Sequence, residues 1–388
     1  MTEKRFSFAS MDEDKRLRHL FRQKIETADA RKIEKGLQSI YRLARVGLEG
    51  HVALIMGITG AGKTTAVRMF TDTIFEQMRA SDPSGTWERP EVAATDLRPI
   101  IHRSEAGTER PIAVLSVNSR PRFNSFLHDA ALALQVNLPK RYDFGEASRE
   151  INNALLKQKV KMFIFDDVQH IIESHMDDYG AADVFKLLAK SRVQIVCIGL
   201  PTAQKLITVN GQLRRLVRFQ HMMTPLRCSI GDFPQLDRSG GMIGNEEGRK
   251  TAFRSLMAAI DRKAGQASVL PFDGDSKLSE PQMALRIHQA SGGFVGEIMK
   301  LIQEACTLAI LAGRSKLIVE DFAEAYETMT LCNDDRNWFR MPWPKFAESF
   351  GTKAPNPRAT EENEHSKQVE NNMKKREKRS ADAIAGRT

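Results

Sequence analysis

The chain has 388 residues, 41% hydrophobic and 28% charged, and its 58 Lys+Arg outweigh 49 Asp+Glu to give a net charge of +9. This composition excludes a small disulfide-stapled module and wholesale disorder, and at roughly 100–200 residues per domain it predicts two or three domains. Cys197, Cys228, Cys306 and Cys332 form no C-x-x-C pair, so they read as reduced and mostly buried rather than as a zinc or redox site. No apolar run approaches the roughly 20 residues of a bilayer span, and the first residues are charged where a signal peptide is apolar. The expectation is a cytoplasmic protein with no membrane contact, whose positive balance suits a polyanionic partner.

From Asp12 to Leu48 the apolar residues Leu17, Leu20, Phe21 and Ile25, then Ile33, Leu37, Ile40 and Tyr41, recur at helical spacing with a break near Ala28, which predicts two helices in an N-terminal segment over 1–50. The period then changes. His51–Gly57 is a short continuous apolar run, and the pattern returns at 112–117, 162–165 and 193–199. Such runs, alternating with helical stretches, predict a parallel sheet covered on both faces over residues 51–236. The polar stretch 81–110 interrupts the alternation and reads as an insertion or surface hairpin without an assigned role. Glycines around 237–244 mark a boundary. Beyond it, helices are predicted over 246–264, from a capping box at Ser279-Glu-Pro-Gln282, over 294–311 and over 319–329, forming a small helical domain, 237–332. The remainder, 333–388, is a tail, and from Gly351 onward it is too poor in aliphatic residues to order on its own.

Gly57-Ile-Thr-Gly-Ala-Gly-Lys63-Thr64 matches G-x-x-x-x-G-K-[ST] between a predicted strand and a predicted helix at 65–78. The glycines let successive N–H groups turn toward phosphates, Lys63 brings a point charge to the β/γ oxygens, and the Thr64 hydroxyl suits Mg²⁺. The expected nucleotide contacts are Gly57, Thr59, Gly60, Ala61, Gly62, Lys63, Thr64 and Thr65, with ATP and Mg²⁺ as cofactors. A second apolar strand ends in Asp166-Asp167. There Asp166 is the metal-site residue and Asp167, one methylene shorter than the Glu common at this place, is the acid that polarises water. In Asn210-Gly-Gln-Leu-Arg-Arg-Leu-Val-Arg218-Phe219, one arginine is positioned to reach a neighbour's γ-phosphate, or all are ordinary surface charge.

Together with Ile198-Gly199-Leu200-Pro201 and Ala290-Ser-Gly-Gly-Phe-Val-Gly-Glu-Ile-Met-Lys300, these motifs resemble the TniB/TnsC-type AAA+ ATPases of transposons, over roughly residues 12–329. The Asp166-Asp167-Val-Gln-His170 and Ser-Gly-Gly-Phe-Val-Gly-Glu phrases are the more particular to that family. The resemblance implies a P-loop AAA+ fold with a parallel five-stranded sheet flanked by helices, a helical lid and a disordered tail. It implies an ATP-dependent regulator that oligomerises on target DNA as a ring or helical filament, a heptamer or a hexamer per turn. Such a regulator links a target-selection protein of the TniQ/TnsD type to the transposase, and hydrolysis disassembles it, all in a bacterial cytoplasm. Arg218 is the best match to the family's arginine finger, with Arg214 and Arg215 as rivals. Leu200 stands where a polar sensor is usual, with Thr202 as a substitute, and Gly293-Phe-Val-Gly296 lacks a second sensor arginine. With Asp167 in place of Glu, these departures imply slow hydrolysis.

Arg120 and Arg122 after the second strand, and Lys140 and Arg141 before the Asp166 strand, are the candidate contacts to double-stranded DNA. No base-reading motif accompanies them, so little sequence specificity is expected. Trp338-Phe-Arg-Met-Pro-Trp-Pro-Lys-Phe346 gathers aromatics ahead of the basic run 374–379. These residues read as a partner-binding tail, with the transposase as the partner the resemblance implies, or as a cap on the helical core. Two rival functions use the same fold: a replication initiator or helicase loader, and a secretion or signalling ATPase that works on proteins without DNA.

Overall fold

The computed structural model describes residues 7–46, 49–119, 121–174, 178–209, 211–233, 236, 251–332 and 336–351. The described chain divides into two units, Ala28–Met223 and, together with the residues before it up to Thr27, the chain from Thr224 onward.

Seven strands, β1 (Val52–Met56), β2 (Thr86–Glu88), β3 (Ile100–Ser104), β4 (Gly107–Ser116), β5 (Met162–Asp166), β6 (Gln194–Gly199) and β7 (Val217–Met222), form one sheet in the order β2-β3-β4-β5-β6-β1-β7. The five strands β4, β5, β6, β1 and β7 run parallel. The fold is the α/β P-loop AAA+ type, but the sheet is mixed and seven-stranded rather than five-stranded. Its two extra strands come from the segment 81–110, where β2 and β3 add antiparallel pairs to the edge at β4.

The helices in chain order are α1 (Glu13–Arg22), α2 (Ala28–Val46), α3 (Lys63–Ser81), α4 (Phe123–Ala133), α5 (Phe144–Lys157), α6 (Gln169–Glu173), α7 (Asp178–Lys190), α8 (Lys205–Val209) and α9 (Gly211–Leu216), followed by α10 (Ala252–Asp261), α11 (Pro281–Ser291), α12 (Val295–Leu311), α13 (Val319–Thr330) and α14 (Trp343–Ser349). Val52, Leu54, Met56, Phe163 and Phe165 share one core with Phe126 and Leu127 of α4, Ile151 of α5 and Phe185 of α7. Helices α2 and α3 contact β1, β6 and β7 from their own side. Covered on both faces, β1 and β5 are buried at every position, which is why their sequences run apolar without alternation. A Cβ at Gly36 of α2 would lie 2.4 Å from the Phe219 ring of β7, so only glycine lets this helix approach that strand.

In the helical unit, Phe253, Met257, Leu285, Ile302 and Phe322 build a second core. Two expectations are corrected there. Helices α1 and α2, read from sequence as one segment over 1–50, belong to different units: Leu20 of α1 lies in the helical core, and Arg16 donates to the Pro271 and Arg314 carbonyls. The aromatics of 338–346, read as a partner anchor or a cap on the helical core, are such a cap, and the partner-binding reading is the one corrected. Phe346 is 0% exposed, Phe339 and Trp343 are buried, and the Arg286 guanidinium lies 4.8 Å over the Phe346 ring while donating to the carbonyls of Trp338 and Met341. The basic run 374–379 and the glycines 237–244 lie outside the described residues.

Helix α11 starts one residue later than the capping box predicts. Glu280 is its N-cap and Pro281 its first residue, because proline suits a helix's first position and keeps its predecessor extended. Ser279 instead donates its backbone N–H to Asp261 Oδ2 at 2.5 Å. Cys197 and Cys306 are buried, Cys228 and Cys332 half-buried, and all four are free thiols.

Candidate nucleotide site

Strand β1 delivers the chain into a glycine loop that α3 then closes. The Gly57 N–H donates to the Gly199 carbonyl at 3.2 Å, tying the loop to β6. Gly60 and Gly62 have φ of +76° and +91°, a left-handed backbone that glycine adopts without penalty and that turns the loop's N–H groups inward. Gly62 caps α3, whose first residues are Lys63 and Thr64. The motif therefore sits at the positive end of a 19-residue helix. Lys63 Nζ donates to the carbonyls of Gly57 and Ile58 at 2.8 and 2.9 Å, so its ammonium lies folded against the loop. Thr59 and Thr65 are exposed and Ala61 is buried.

Asp166 ends β5 and is 4% exposed. Its Oδ2 accepts hydrogen bonds from the hydroxyls of Thr64 at 3.3 Å and Thr95 at 2.7 Å, and its Oδ1 accepts the Asp167 N–H at 3.1 Å. Burial pushes the Asp166 carboxyl above its ordinary range, against the pull of these donors. Asp167 has φ +59°, a conformation costly for a residue with a side chain. Its carboxylate accepts from Gln169 Nε2 at 3.0 Å, while Gln169 Oε1 accepts the Leu200 N–H at 3.1 Å. Gln169 is buried. It bridges the acid at the end of β5 to the turn after β6, where the sequence offers Leu200 in place of a polar sensor. The Thr202 hydroxyl is buried in the following turn.

The structure thus sets Thr64 against Asp166, with Asp167 beside it and Lys63 at the start of the helix that carries Thr64. Among the described residues no group of three or more His, Cys, Asp or Glu side chains is arranged to hold a metal. One hydroxyl and one carboxylate 3.3 Å apart are nonetheless the donor set Mg²⁺ takes from a protein when waters and phosphates supply its other ligands. Sequence reasoning missed Thr95 and Gln169. Thr95 lies in the insertion and matches no motif, whereas Gln169 belongs to a phrase that marks a family without announcing a role.

Arg214 and Arg215 close α9 and Arg218 stands on the edge strand β7, all three exposed. Of the basic loops, Arg122, Lys140 and Arg141 are exposed. The Tyr142 hydroxyl donates to the Asn124 carbonyl at 2.8 Å and the Phe123 and Phe144 rings lie 5.6 Å apart, which joins the two loops at the starts of α4 and α5. Arg120 lies outside the described residues.

Residues 48–207 match the family model described as AAA domain. No curated protein sequence matches the chain. Among solved structures the chain is similar to the ORC2 protein of Aeropyrum pernix in its ADPNP-ADP complexes, at 12% identity and TM-score 0.51, covering 80% of this chain and 71% of that one. It is also similar to Cdc6p from Pyrobaculum aerophilum, at 11% identity and TM-score 0.50, covering 80% and 70%. Residues 48–207 are an AAA-type ATPase domain, carried on an AAA+ fold. Among the described residues no helix is long and apolar enough to cross a membrane.

Proposed function

We propose that this ATPase domain drives an ATP-dependent, DNA-binding regulator of transposition. The regulator oligomerises on duplex DNA, joins a target-selection protein of the TniQ/TnsD type to a transposase, and disassembles on hydrolysis. The observation that carries the nucleotide half is the Thr64 hydroxyl 3.3 Å from Asp166 Oδ2, next to a Lys63 ammonium lying on the glycine loop. The loop N–H groups and Lys63 would hold the phosphates, and Thr64 and Asp166 would hold Mg²⁺, which when bound supplies charge neutralisation. Asp167 accepts a proton from the attacking water, and Gln169 keeps its carboxylate in place. Arg218, or Arg214 or Arg215, serves the γ-phosphate of a neighbouring subunit, which their exposure permits.

The DNA half is supported by the net charge and by the joined basic loops at Arg122, Lys140 and Arg141. The transposition half is supported by the Asp166–His170 and Ser291–Glu297 phrases. The likeness to ORC2 and Cdc6p supports a second reading, a replication initiator. The test is filter binding and electron microscopy of the purified chain with arbitrary duplex DNA, in ATP, in ADP and as Lys63→Ala, across a salt series. The expected result is ordered oligomers that need ATP and Lys63, with affinity falling steeply with salt and indifferent to sequence. Strong preference for one DNA sequence favours the initiator, and nucleotide binding without DNA association overturns both.

A further inference from the structure

The insertion that extends the sheet also reaches the nucleotide site. Between β2 and β3 the chain returns toward β5, and Thr95 Oγ1 accepts the Leu97 N–H at 3.2 Å while donating its own proton to Asp166 Oδ2 at 2.7 Å. That contact is shorter than the one from Thr64 to the same oxygen, 3.3 Å. The loop is not loosely draped there. Arg89 pairs with Asp72 and donates to the Thr71 hydroxyl at 3.0 Å, both on α3. Arg68 of the same helix lies 3.8 Å from Asp96, and Leu97 is fully buried. Ser116, paired in register with Asp166, donates to the Ala94 carbonyl at 3.4 Å. The loop is therefore clamped to the helix that carries Thr64 and to the strand beside the one that carries Asp166.

We propose that Thr95 is a positioning residue of the Mg²⁺–ATP site, fixing the Asp166 carboxylate in the orientation that faces Thr64. Of the three donors to this buried carboxylate, the Asp167 N–H holds Oδ1 while Thr64 reaches Oδ2 only at 3.3 Å, so Thr95 at 2.7 Å is the closest hold on Oδ2, and hydrogen-bond partners of metal-holding carboxylates commonly set metal affinity. Through Thr95 the edge hairpin and the nucleotide site share one hydrogen bond. The inference rests on the reading of Asp166 as the metal-holding carboxylate.

The experiment titrates the full chain with a fluorescent N-methylanthraniloyl ATP, once in EDTA and once across a MgCl₂ series, for the parent, Thr95→Val, Thr95→Ser and Asp166→Asn. Valine keeps the shape of threonine and removes the donor. The expected result is that Thr95→Val binds the nucleotide in EDTA as the parent does but needs about tenfold more Mg²⁺ for half its effect. Thr95→Ser should stay within about twofold of the parent, since serine keeps the donating hydroxyl, and Asp166→Asn should lose the Mg²⁺ response. Equal EDTA affinities separate this outcome from misfolding. A Thr95→Val titration that follows the parent, or needs less Mg²⁺, while Asp166→Asn is altered, overturns the role of Thr95 alone. An unaltered Asp166→Asn overturns the metal reading and the inference with it.

Discussion

In the proposed mechanism Asp167 is the acid that receives the proton of the attacking water, and it sits in an unusual place. Its backbone is left-handed, at φ +59°, and its carboxylate is held by Gln169, which also holds the Leu200 N–H. A short acid thus gains orientation from a neighbour while it lacks the reach of glutamate. Asp167→Asn should lower kcat about 100-fold with nucleotide affinity kept, because it removes the proton acceptor and nothing that touches the phosphates. Gln169→Leu should fall between that variant and the parent, since the carboxylate remains but its tether is lost. Single-turnover hydrolysis beside equilibrium nucleotide binding measures both. If Gln169→Leu reduced affinity and left kcat intact, the tether would have no role in positioning the acid.

At the scale of elements, α11 carries a titrating group whose environment opposes its charge. His288 Nε2 donates to the Leu226 carbonyl at 2.9 Å, its Nδ1 is buried, and the Phe253 ring packs edge-on at 4.9 Å. Burial lowers its pKa from the ordinary 6.5, so below that value the unfolded chain takes up a proton that the folded chain refuses. Stability from this site is full above pH 6.5 and is lost as pH falls toward the folded pKa. Melting of the helical unit should therefore drop between pH 8 and pH 5.5, and by less in His288→Gln. Equal losses in the two proteins would show that other groups set the acid sensitivity. The same scale shows what could be read in advance. The glycine loop was legible because its backbone needs glycines at fixed places, and β1 and β5 because burial on both faces leaves a continuous apolar run. The edge strands were legible only as an insertion or hairpin over 81–110 and not strand by strand, because β2 has only three residues and its pairing with β3 spans a loop without a strand pattern. The tail aromatics stay open in the sequence between a partner anchor and a core cap because composition reports that a segment is apolar but not whether a core nearby has room for it, and Arg286 gives no local sign of its hold on 338–346. The capping-box pattern at Ser279 places the start of α11 one residue early, outweighing Pro281, which fixes the first position.

For the whole molecule, every residue brought to the nucleotide site, Lys63, Thr64, Thr95, Asp166, Asp167 and Gln169, lies within Ala28–Met223. That fragment, produced alone, should bind ATP with an affinity close to that of the full chain, and removal of residues 1–27 should lower the melting temperature of the helical unit while leaving nucleotide affinity unchanged. Calorimetry with and without ATP reads the two outcomes, and a truncation that abolished nucleotide binding would contradict the division. Helix α1 has a further consequence for the order in which the molecule forms. It precedes the ATPase domain in the chain, yet Leu20 packs with Phe253, Met257 and Ile302, which are made only after that whole domain. Until then α1 lacks its packing partners, and the helical core closes only after the ATPase domain between them has been made. The ATPase domain meets no such delay, so in a growing chain it is the part that folds first.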